Sequence, residues 1–486
     1  MTLPEKPDSK KNTSRFFTWL DLRTGIGKLL HEALDEPIPG GARFAYVFGS
    51  LLLFLFLSQI VTGVVLTLYY IPSADHAHTT VSYIIKEVTG GSFLHSLHAY
   101  GSSAIIIVLG LHIVQTFIYG SYKGRRELLW ISGCVLLVLM LGMAFTGYLL
   151  PWDQKAYFAT TVGTNLASEI PWMGSGLKRL LRGGTDMGTL TLSRFFVTHV
   201  FLIPGAILGF IALHVYLFRK AGAAGPPHED PVHPRLPTER FYPRQVVMDL
   251  TITLVLIVGL GLLSYWVPIE LGPKANPADT QYLPRPEWYY LPSFQWLKYW
   301  PGSSAIFGIL IIPLIIGIVF VALPFIDRRL ERKPWRRPIA MTSLAVGILS
   351  IVGLGLLSKI EDQHDPSIAK QIAKQNKETE KFMHTPFEPE FVGGLTPTAN
   401  VALINPLLVA GKRIYENESC NTCHGEGGLG TTEGAKLIGI GTKISADQIE
   451  KLLRHPTPKM SDGGMSAVDL NEEELKALIA YLQSLK

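Results

Sequence analysis

The chain has 486 residues, only 17% of them charged, and its mean hydropathy is +0.25. This composition is too apolar for an ordinary water-soluble protein, and the apolar residues cluster in long runs, so we predict a membrane protein. The formal net charge of +5 comes from Lys and Arg concentrated in particular loops, and we do not interpret it as nucleic-acid binding. The three cysteines suggest no disulfide framework, and Cys134, inside an apolar run, is interpreted as a core residue.

Seven apolar runs are each long enough to cross a bilayer as a helix. In chain order they cover residues 45–70, 96–119, 128–150, 195–218, 246–267, 304–326 and 339–358. We therefore predict an all-α fold: a seven-helix transmembrane bundle followed by a small all-α domain outside the membrane.

The distribution of Lys and Arg predicts the orientation of these spans. Basic residues crowd the N-terminus and the loops 119–127, 219–245 and 327–337, whereas the alternate loops 71–93 and 267–303 are poorer in them. The loop 151–193 is a partial exception. By the positive-inside rule, we expect the N-terminus on the cytoplasmic side of a bacterial membrane and the C-terminus on the outer side.

Two pairs of histidines lie inside these runs: His98 and His112 in the second, and His199 and His214 in the fourth. Fourteen or fifteen residues separate the members of a pair, which returns both to roughly the same helix face, roughly 21 Å apart along it. Ionisable residues inside a membrane are costly and therefore indicate function. We predict two noncovalent haems b, each held by one imidazole from each helix. Buried histidines that only hydrogen-bond between helices are the alternative.

Two glycine pairs share this spacing. Gly49 and Gly63 lie in the first run, and Gly133 and Gly147 lie in the third. Because glycine lets a flat macrocycle approach a helix backbone, these pairs support the haem interpretation. Ordinary packing of small residues between membrane helices is the alternative.

The chain divides into four predicted blocks. Residues 1–220 hold four spans and both histidine pairs, and residues 221–358 hold three more spans. A polar tether, first helical and then extended, covers residues 359–404, and a water-exposed domain covers residues 405–486.

The last block contains a CxxCH motif, formed by Cys420, Cys423 and His424. This is the attachment signature of c-type haem, in which the thiols bind the haem covalently and the histidine ligates the iron. A helix-like run precedes the motif and an amphipathic helix closes the block, so the block resembles a small class I cytochrome c domain. Attachment occurs outside the cytoplasm, in agreement with the charge rule.

We expect a methionine as the sixth ligand of this haem. Its thioether would give the haem a higher reduction potential than ligation by two histidines. We favour Met460, which follows the predicted helix 447–454. Met465, nearer the closing helix, is the alternative.

Two further motifs complete a family resemblance. Gly-Tyr-Leu-Leu-Pro-Trp-Asp-Gln occupies residues 147–154, and Pro-Glu-Trp-Tyr occupies residues 286–289. With the histidine and glycine spacings, they make residues 30–360 similar to cytochrome b of the bc1 and b6f complexes, in the form of b6 fused to its three-span partner. The resemblance implies that His98 and His199 hold the outer, low-potential haem b. It likewise implies that His112 and His214 hold the inner, high-potential haem b.

The resemblance also implies two quinone sites. On the outer side, Glu287 would accept a proton from quinol, assisted by Tyr289, in a site lined by Pro286 and Trp288. The alternative is an exposed glutamate beside aromatic residues that favour the membrane boundary.

On the inner side, Asp249 and Arg219 are candidates for quinone binding. An interfacial aspartate and a positive-inside arginine are the corresponding alternatives.

Three positions depart from the family pattern. Val47 replaces the cysteine that binds an extra inner haem covalently in the b6 branch, so only an unattached extra haem remains open. His95 and Gln115 replace two arginines, so the partners of the haem propionates must differ.

We therefore expect the cytochrome b subunit of a quinol:acceptor oxidoreductase, a respiratory enzyme that builds a proton gradient. One electron from quinol would pass to a separate Rieske iron–sulfur subunit and haem c, and the other through two b haems to the inner quinone. The expected partners also include menaquinone and a further electron acceptor. The subunit is expected to form a homodimer. The rival is a di-haem membrane anchor that relays electrons for another dehydrogenase without a bifurcating site.

Overall fold

The computed structural model of the chain describes residues 15–227, 237–279, 281–389, 406–431 and 434–485. Two compact units result, Met1–Glu390 and Phe391–Lys486, and each is considered by itself. The predicted extended part of the tether, from residue 390 to residue 404, lies outside the described residues.

The first unit is helical apart from one short two-stranded sheet. Its elements are α1 (Arg15–Thr24), α2 (Ile26–Leu34), β1 (Pro37–Pro39), α3 (Val47–Thr67), α4 (Ala77–Lys86), α5 (Gly91–Tyr119), α6 (Glu127–Tyr148), α7 (Gln154–Ser168), α8 (Gly174–Arg182), α9 (Thr189–Val197), α10 (Ile203–Ala221), β2 (Thr238–Arg240), α11 (Arg244–Trp266), α12 (Leu291–Leu297), α13 (Ile312–Val321), α14 (Leu323–Ile326), α15 (Pro338–His364) and α16 (Pro366–His384). Strands β1 and β2 pair in antiparallel fashion, with Ile38 opposite Glu239.

Within the part of the chain that the structure describes, seven helical segments are long and apolar enough to cross a membrane, which confirms the predicted all-α fold. They are Phe44–Thr67, Gly91–Tyr119, Glu127–Tyr148, Thr189–Ala221, Arg244–Trp266, Gly302–Val321 and Pro338–His364. The second, fourth and seventh extend several residues beyond the predicted runs. Polar turns can continue a helix outside the bilayer, because water satisfies their side chains there.

The fourth and sixth of these helices each contain one π-helical turn. The turn Thr198–Leu202 precedes α10, and the turn Phe307–Ile311 precedes α13. In both cases a proline follows at the second position of the next helix, Pro204 or Pro313. Proline lacks the main-chain N–H that an α-helix needs, so a local change in hydrogen bonding accommodates it.

Helices α3 and α5 pack together, α6 packs against α10, and α11 lies against both α3 and α5. Leu51 and Leu55 of α3 meet Ala104, Ile105 and Val108 of α5 in a buried apolar cluster. Most other apolar side chains of the spans face outward, as the lipid-facing surface of a membrane bundle requires.

The start of the predicted tether is helical and docks onto the first unit. Helix α16 is capped by Asp365, whose carboxylate accepts hydrogen bonds from the main-chain N–H groups of Ser367 and Ile368. At its other end, Lys86 donates to the carbonyl oxygens of Phe382 (2.7 Å) and Thr385 (2.6 Å). Contacts of this kind hold the helix in place, so this part of the chain is an anchored segment.

The described residues of the second unit form six helices: α17 (Pro406–Asn417), α18 (Cys420–His424), α19 (Ile440–Lys443), α20 (Ala446–Arg454), α21 (Pro458–Asp462) and α22 (Glu472–Ser484). Helices α17 and α22 cross closely, and a Cβ on Gly411 would overlap the main chain of Ala477. Tyr415, Leu475 and Leu478 are buried in the resulting core.

Candidate haem and quinone sites

The first predicted ligand pair comes together between α5 and the π-helical turn. The imidazole rings of His98 and His199 have centroids 6.4 Å apart, with ring planes at 77°. Two imidazoles that bind one metal from opposite sides, with metal–nitrogen bonds of about 2 Å, would have centroids roughly 6 Å apart. The separation of these two rings therefore fits a shared haem iron.

Hydrogen bonds orient both of these rings. The Nδ1 of His98 lies 2.8 Å from Oγ1 of Thr62, which donates its own proton to the carbonyl oxygen of Ser58 (2.9 Å). Thr62 therefore accepts from Nδ1–H. The Nδ1 of His199 donates to the carbonyl oxygen of Met143 at 3.0 Å. In both residues Nε2 is left as the nitrogen that can bind iron.

In the second pair, His214 is oriented by a hydrogen bond of the same kind. The Nδ1 of His214 lies 2.9 Å from Oγ of Ser132, whose proton goes to the carbonyl oxygen of Leu129 at 2.8 Å. His112 lies close enough to His214 for the two rings to interact electrostatically. The pairing of His112 with His214 stays a prediction that this proximity supports.

Three of the four glycines make room for a histidine ring. A Cβ on Gly63 would lie 3.1 Å from Cε1 of His98, and one on Gly133 would lie 3.3 Å from Cε1 of His214. A Cβ on Gly147 would overlap the ring of His199. Among the described residues, a Cβ on Gly49 would meet no heavy atom within 4 Å. Gly63, Gly133 and Gly147 thus form cradles for three histidine rings, and the residues present fit two haems b.

The hydroxyl residues that orient the histidines were missed in the sequence. Thr62, Ser132 and Thr146 each come directly before one of the cradle glycines, and Oγ1 of Thr146 lies 3.3 Å from Nδ1 of His199. The sequence did carry a signal for them: a hydroxyl residue directly before glycine occurs twice in α6, at the same spacing as the histidine pair His98 and His112.

The outer Pro-Glu-Trp-Tyr segment precedes α12. Trp288 and Tyr289 line one end of an open, largely apolar cavity of about 2030 Å³ between α5, α6, α13 and α15, which extends along α15 as far as Arg337. Burial, together with the negative charge of Glu287, raises the pKa of Tyr289, so its hydroxyl stays protonated at neutral pH. The carboxylate of Glu287 is directed to the ammonium group of Lys155, with Nζ and Oε1 2.7 Å apart.

The two inner candidates differ in their surroundings. Asp249 is buried near the start of α11, where it accepts hydrogen bonds from Ser50 (2.8 Å) and Gln245 (2.7 Å). Arg219 lies half-buried in the last turn of α10. Since Ser50 follows Gly49, Asp249 is hydrogen-bonded to the residue next to the glycine that the sequence predicts near the inner haem.

In the second unit, the CxxCH residues form α18. The Nδ1 of His424 donates to the carbonyl oxygen of Ala435 at 2.7 Å, which leaves Nε2 for iron. Cys420 packs against the core, and so does Met465. Met460 lies on α21, and its main-chain carbonyl accepts from the N–H of Met465 at 3.0 Å. The donor set fits haem c. The sixth ligand stays a prediction, and the packing of Met465 supports that residue over Met460.

Three family models match the chain. One described as "Cytochrome b/b6/petB" matches residues 33–222, and one described as "Cytochrome b(C-terminal)/b6/petD" matches residues 274–375. A third, "Cytochrome C oxidase, cbb3-type, subunit III", matches residues 406–482.

Two named proteins of similar sequence support these matches. The menaquinol:cytochrome c reductase cytochrome b subunit of Geobacillus thermodenitrificans is 39% identical over 221 residues, which is 44% of this chain and 99% of that protein. "Cytochrome b/c1" of Bradyrhizobium diazoefficiens is 33% identical over 358 residues, covering 72% of this chain and 51% of the relative. The chain therefore spans about half the length of that second relative.

A solved structure, "Hyperthermophilic respiratory Complex III", matches with a TM-score of 0.63 and 25% identity. The match covers 76% of this chain and 97% of that one. The histidine cradles, the family models and the relative that is covered almost completely agree. The chain belongs to the cytochrome b family of bc-type electron-transfer complexes, joined to a c-type cytochrome domain.

Proposed function

We propose that this chain is the cytochrome b subunit of a menaquinol-oxidising complex and carries its own haem c. Quinol would be oxidised at the outer site, and its two electrons would divide between a separate Rieske protein and the b haems. The name of the Geobacillus thermodenitrificans relative supports menaquinol as the substrate. A homodimer and a further electron acceptor complete the proposed assembly.

One observation carries the outer quinol site. The Pro-Glu-Trp-Tyr segment presents Trp288 and Tyr289 to a large apolar cavity, with an acidic side chain between Pro286 and Trp288. An apolar cavity suits a ring with an isoprenoid tail, and Tyr289 can donate a hydrogen bond to a quinol oxygen. Glu287 can accept a proton and release it to water, because its side chain is one-third exposed.

When bound, the two b haems supply one-electron centres across the membrane and haem c supplies one outside it. His98 and His199 would hold the outer b haem, and His112 and His214 the inner one. Cys420 and Cys423 would attach haem c. His98, His199 and His214 are each oriented by an Nδ1 hydrogen-bond partner and lie against a glycine, so these three rings are already positioned to bind iron.

The inner quinone site is proposed at Asp249, with Arg219 as a second member. The two hydrogen bonds that Asp249 accepts hold its carboxylate at a fixed position beside α3. An unattached extra haem at the inner site remains open, since Val47 offers no thiol. The charge distribution supports a cytoplasmic N-terminus and a haem c domain on the outer side.

Replacement of Glu287 by glutamine tests the function. We expect quinol oxidation to fall about 100-fold, because the amide cannot accept the proton, while the content of haem b stays intact. Glu270→Gln, an exposed carboxylate earlier in the same loop, is the matched control and should oxidise quinol normally. Wild-type turnover in Glu287→Gln would remove Glu287 from the mechanism. Loss of quinol oxidation in the wild-type complex, with both b haems present, would favour the membrane-anchor function.

A further inference from the structure

An ion pair joins the outer quinol segment to the start of α7. The ammonium nitrogen of Lys155 lies 2.7 Å from Oε1 of Glu287, and the two side chains are 43% and 33% exposed. These residues are 132 positions apart in sequence. The pair reaches water on one side, whereas the neighbouring Trp288 and Tyr289 face the apolar cavity.

Main-chain contacts fix the position of Lys155. Asp153 caps α7 by accepting a hydrogen bond from the N–H of Ala156 at 2.8 Å. The N–H of Gln154 donates to the carbonyl oxygen of Pro273 at 3.1 Å, and Ala275 donates to Trp152 at 3.2 Å. The first turn of α7 is therefore bound to the beginning of the loop that later carries Glu287.

Lys155 has a second partner on the membrane side. Its ammonium nitrogen lies 5.6 Å from the ring centroid of Tyr148, within the range of a cation–π contact. The hydroxyl of Tyr148 donates to the carbonyl oxygen of Arg285 at 3.4 Å. The ammonium group is thus held next to the segment from two directions.

We propose that Lys155 is a positioning residue that holds Glu287 in a retracted, water-facing position between turnovers. This inference rests on the proposed function. Glu287 would leave Lys155, accept the proton of a quinol O–H group as that bond breaks, and return as a carboxylic acid. At this partly exposed position it would pass the proton to water and form the ion pair with Lys155 again. The two electrons would leave separately, one to the Rieske protein and one to the b haems.

The exposure of the pair suits this alternation. A partly solvated ion pair contributes little net stability, so it can open in each catalytic cycle. A fully buried pair would be costly to break and would trap the glutamate.

The test compares four variants in the purified complex, with a short-chain naphthoquinol as substrate. Lys155→Gln should lower kcat roughly tenfold and leave KM within about twofold, because proton release and not quinol binding is impaired. Lys155→Arg should restore kcat to within about threefold of wild type. In the Glu287→Gln background, Lys155→Gln should have no further effect, because the lysine acts only through the glutamate.

The control is Lys374→Gln, which removes an exposed ion pair to Glu378 on α16 and should leave kcat unchanged. Wild-type kcat in Lys155→Gln, or equal losses from that change in both backgrounds, would overturn the role of Lys155 alone. Full turnover in Glu287→Gln would overturn the role of Glu287 and this inference with it, whereas a wild-type complex that does not oxidise quinol would overturn the proposed function. The haem b content of each variant separates these outcomes from failure to fold.

Discussion

Asp362, near the end of α15, accepts two hydrogen bonds from Arg285, the residue directly before the Pro-Glu-Trp-Tyr segment. The distances are 2.6 Å from Nη2 of Arg285 to Oδ1 of Asp362 and 2.7 Å from Nε to Oδ2. The side chain of Arg285 is 18% exposed and that of Asp362 is 13% exposed. Gln371 of α16 adds a hydrogen bond to the carbonyl oxygen of Gln281 at 3.1 Å. The last membrane helix and its extension therefore hold the quinol segment in place.

Asp362→Asn should displace this segment. The neutral amide cannot match both guanidinium donors, and Arg285 would be left partly buried without its counter-charge. We expect the rate of quinol oxidation to fall roughly 10- to 100-fold, with a raised KM, because small displacements of reacting groups are costly. Steady-state kinetics measure this effect, and Glu378→Gln on α16 is the control. Unchanged kinetics would show that the pair does not position the segment.

Gly147→Ala should remove one b haem. The added Cβ would overlap the ring of His199, so this imidazole could not keep its ligating position. We expect a pyridine haemochrome spectrum to show about one haem b per haem c instead of about two. Gly142→Ala, in the same helix, is the control, because its Cβ would lie 3.6 Å from Ile203 in ordinary contact. A full complement of haem b in Gly147→Ala would contradict the cradle.

Asp327 should make the stability of the first unit depend on pH. Burial by itself would raise its pKa, but hydrogen bonds from Lys123 (2.6 Å) and Tyr122 (2.7 Å) and the charge of Arg337 outweigh it and lower the pKa. A carboxyl with a lowered folded-state pKa stabilises the protein above its unfolded pKa of about 4, and this contribution is lost as pH falls through the folded-state value.

Asp327→Asn should therefore lower the free energy of unfolding by about 1–3 kcal/mol at neutral pH. The difference from wild type should shrink below about pH 4, where the wild-type carboxyl is also becoming protonated. Thermal unfolding in detergent at several pH values measures both effects. A difference that is equal at pH 7 and in acid would rule out the charged form as the source.

Met465→Leu should lower the midpoint potential of haem c. Met465 packs against the core that also contacts Cys420, and loss of a thioether ligand removes its stabilisation of the reduced iron. Met460→Leu should leave the potential nearly unchanged. Redox titration of both variants decides between the two residues, and the reverse pattern would return the sixth position to Met460, as the sequence favoured.

Much of the architecture could be predicted from the sequence. A bilayer demands about 20 consecutive apolar residues per helix, and this requirement is local, so all seven spans were found without the structure. The CxxCH motif is also contiguous. The four histidines were recognised because their spacing matches the helical repeat and ionisable residues inside a membrane are rare.

Tertiary structure decided the features that join distant segments. The fifteen-residue spacing of His199 and His214 became understandable only with the π-helical turn, which takes up one additional residue. The hydroxyl partners of the histidines, and the pairing of Glu287 with Lys155, depend on which helix faces lie together. Periodicity shows that a side chain lies on one face of a helix, but only packing brings two remote side chains within hydrogen-bonding distance.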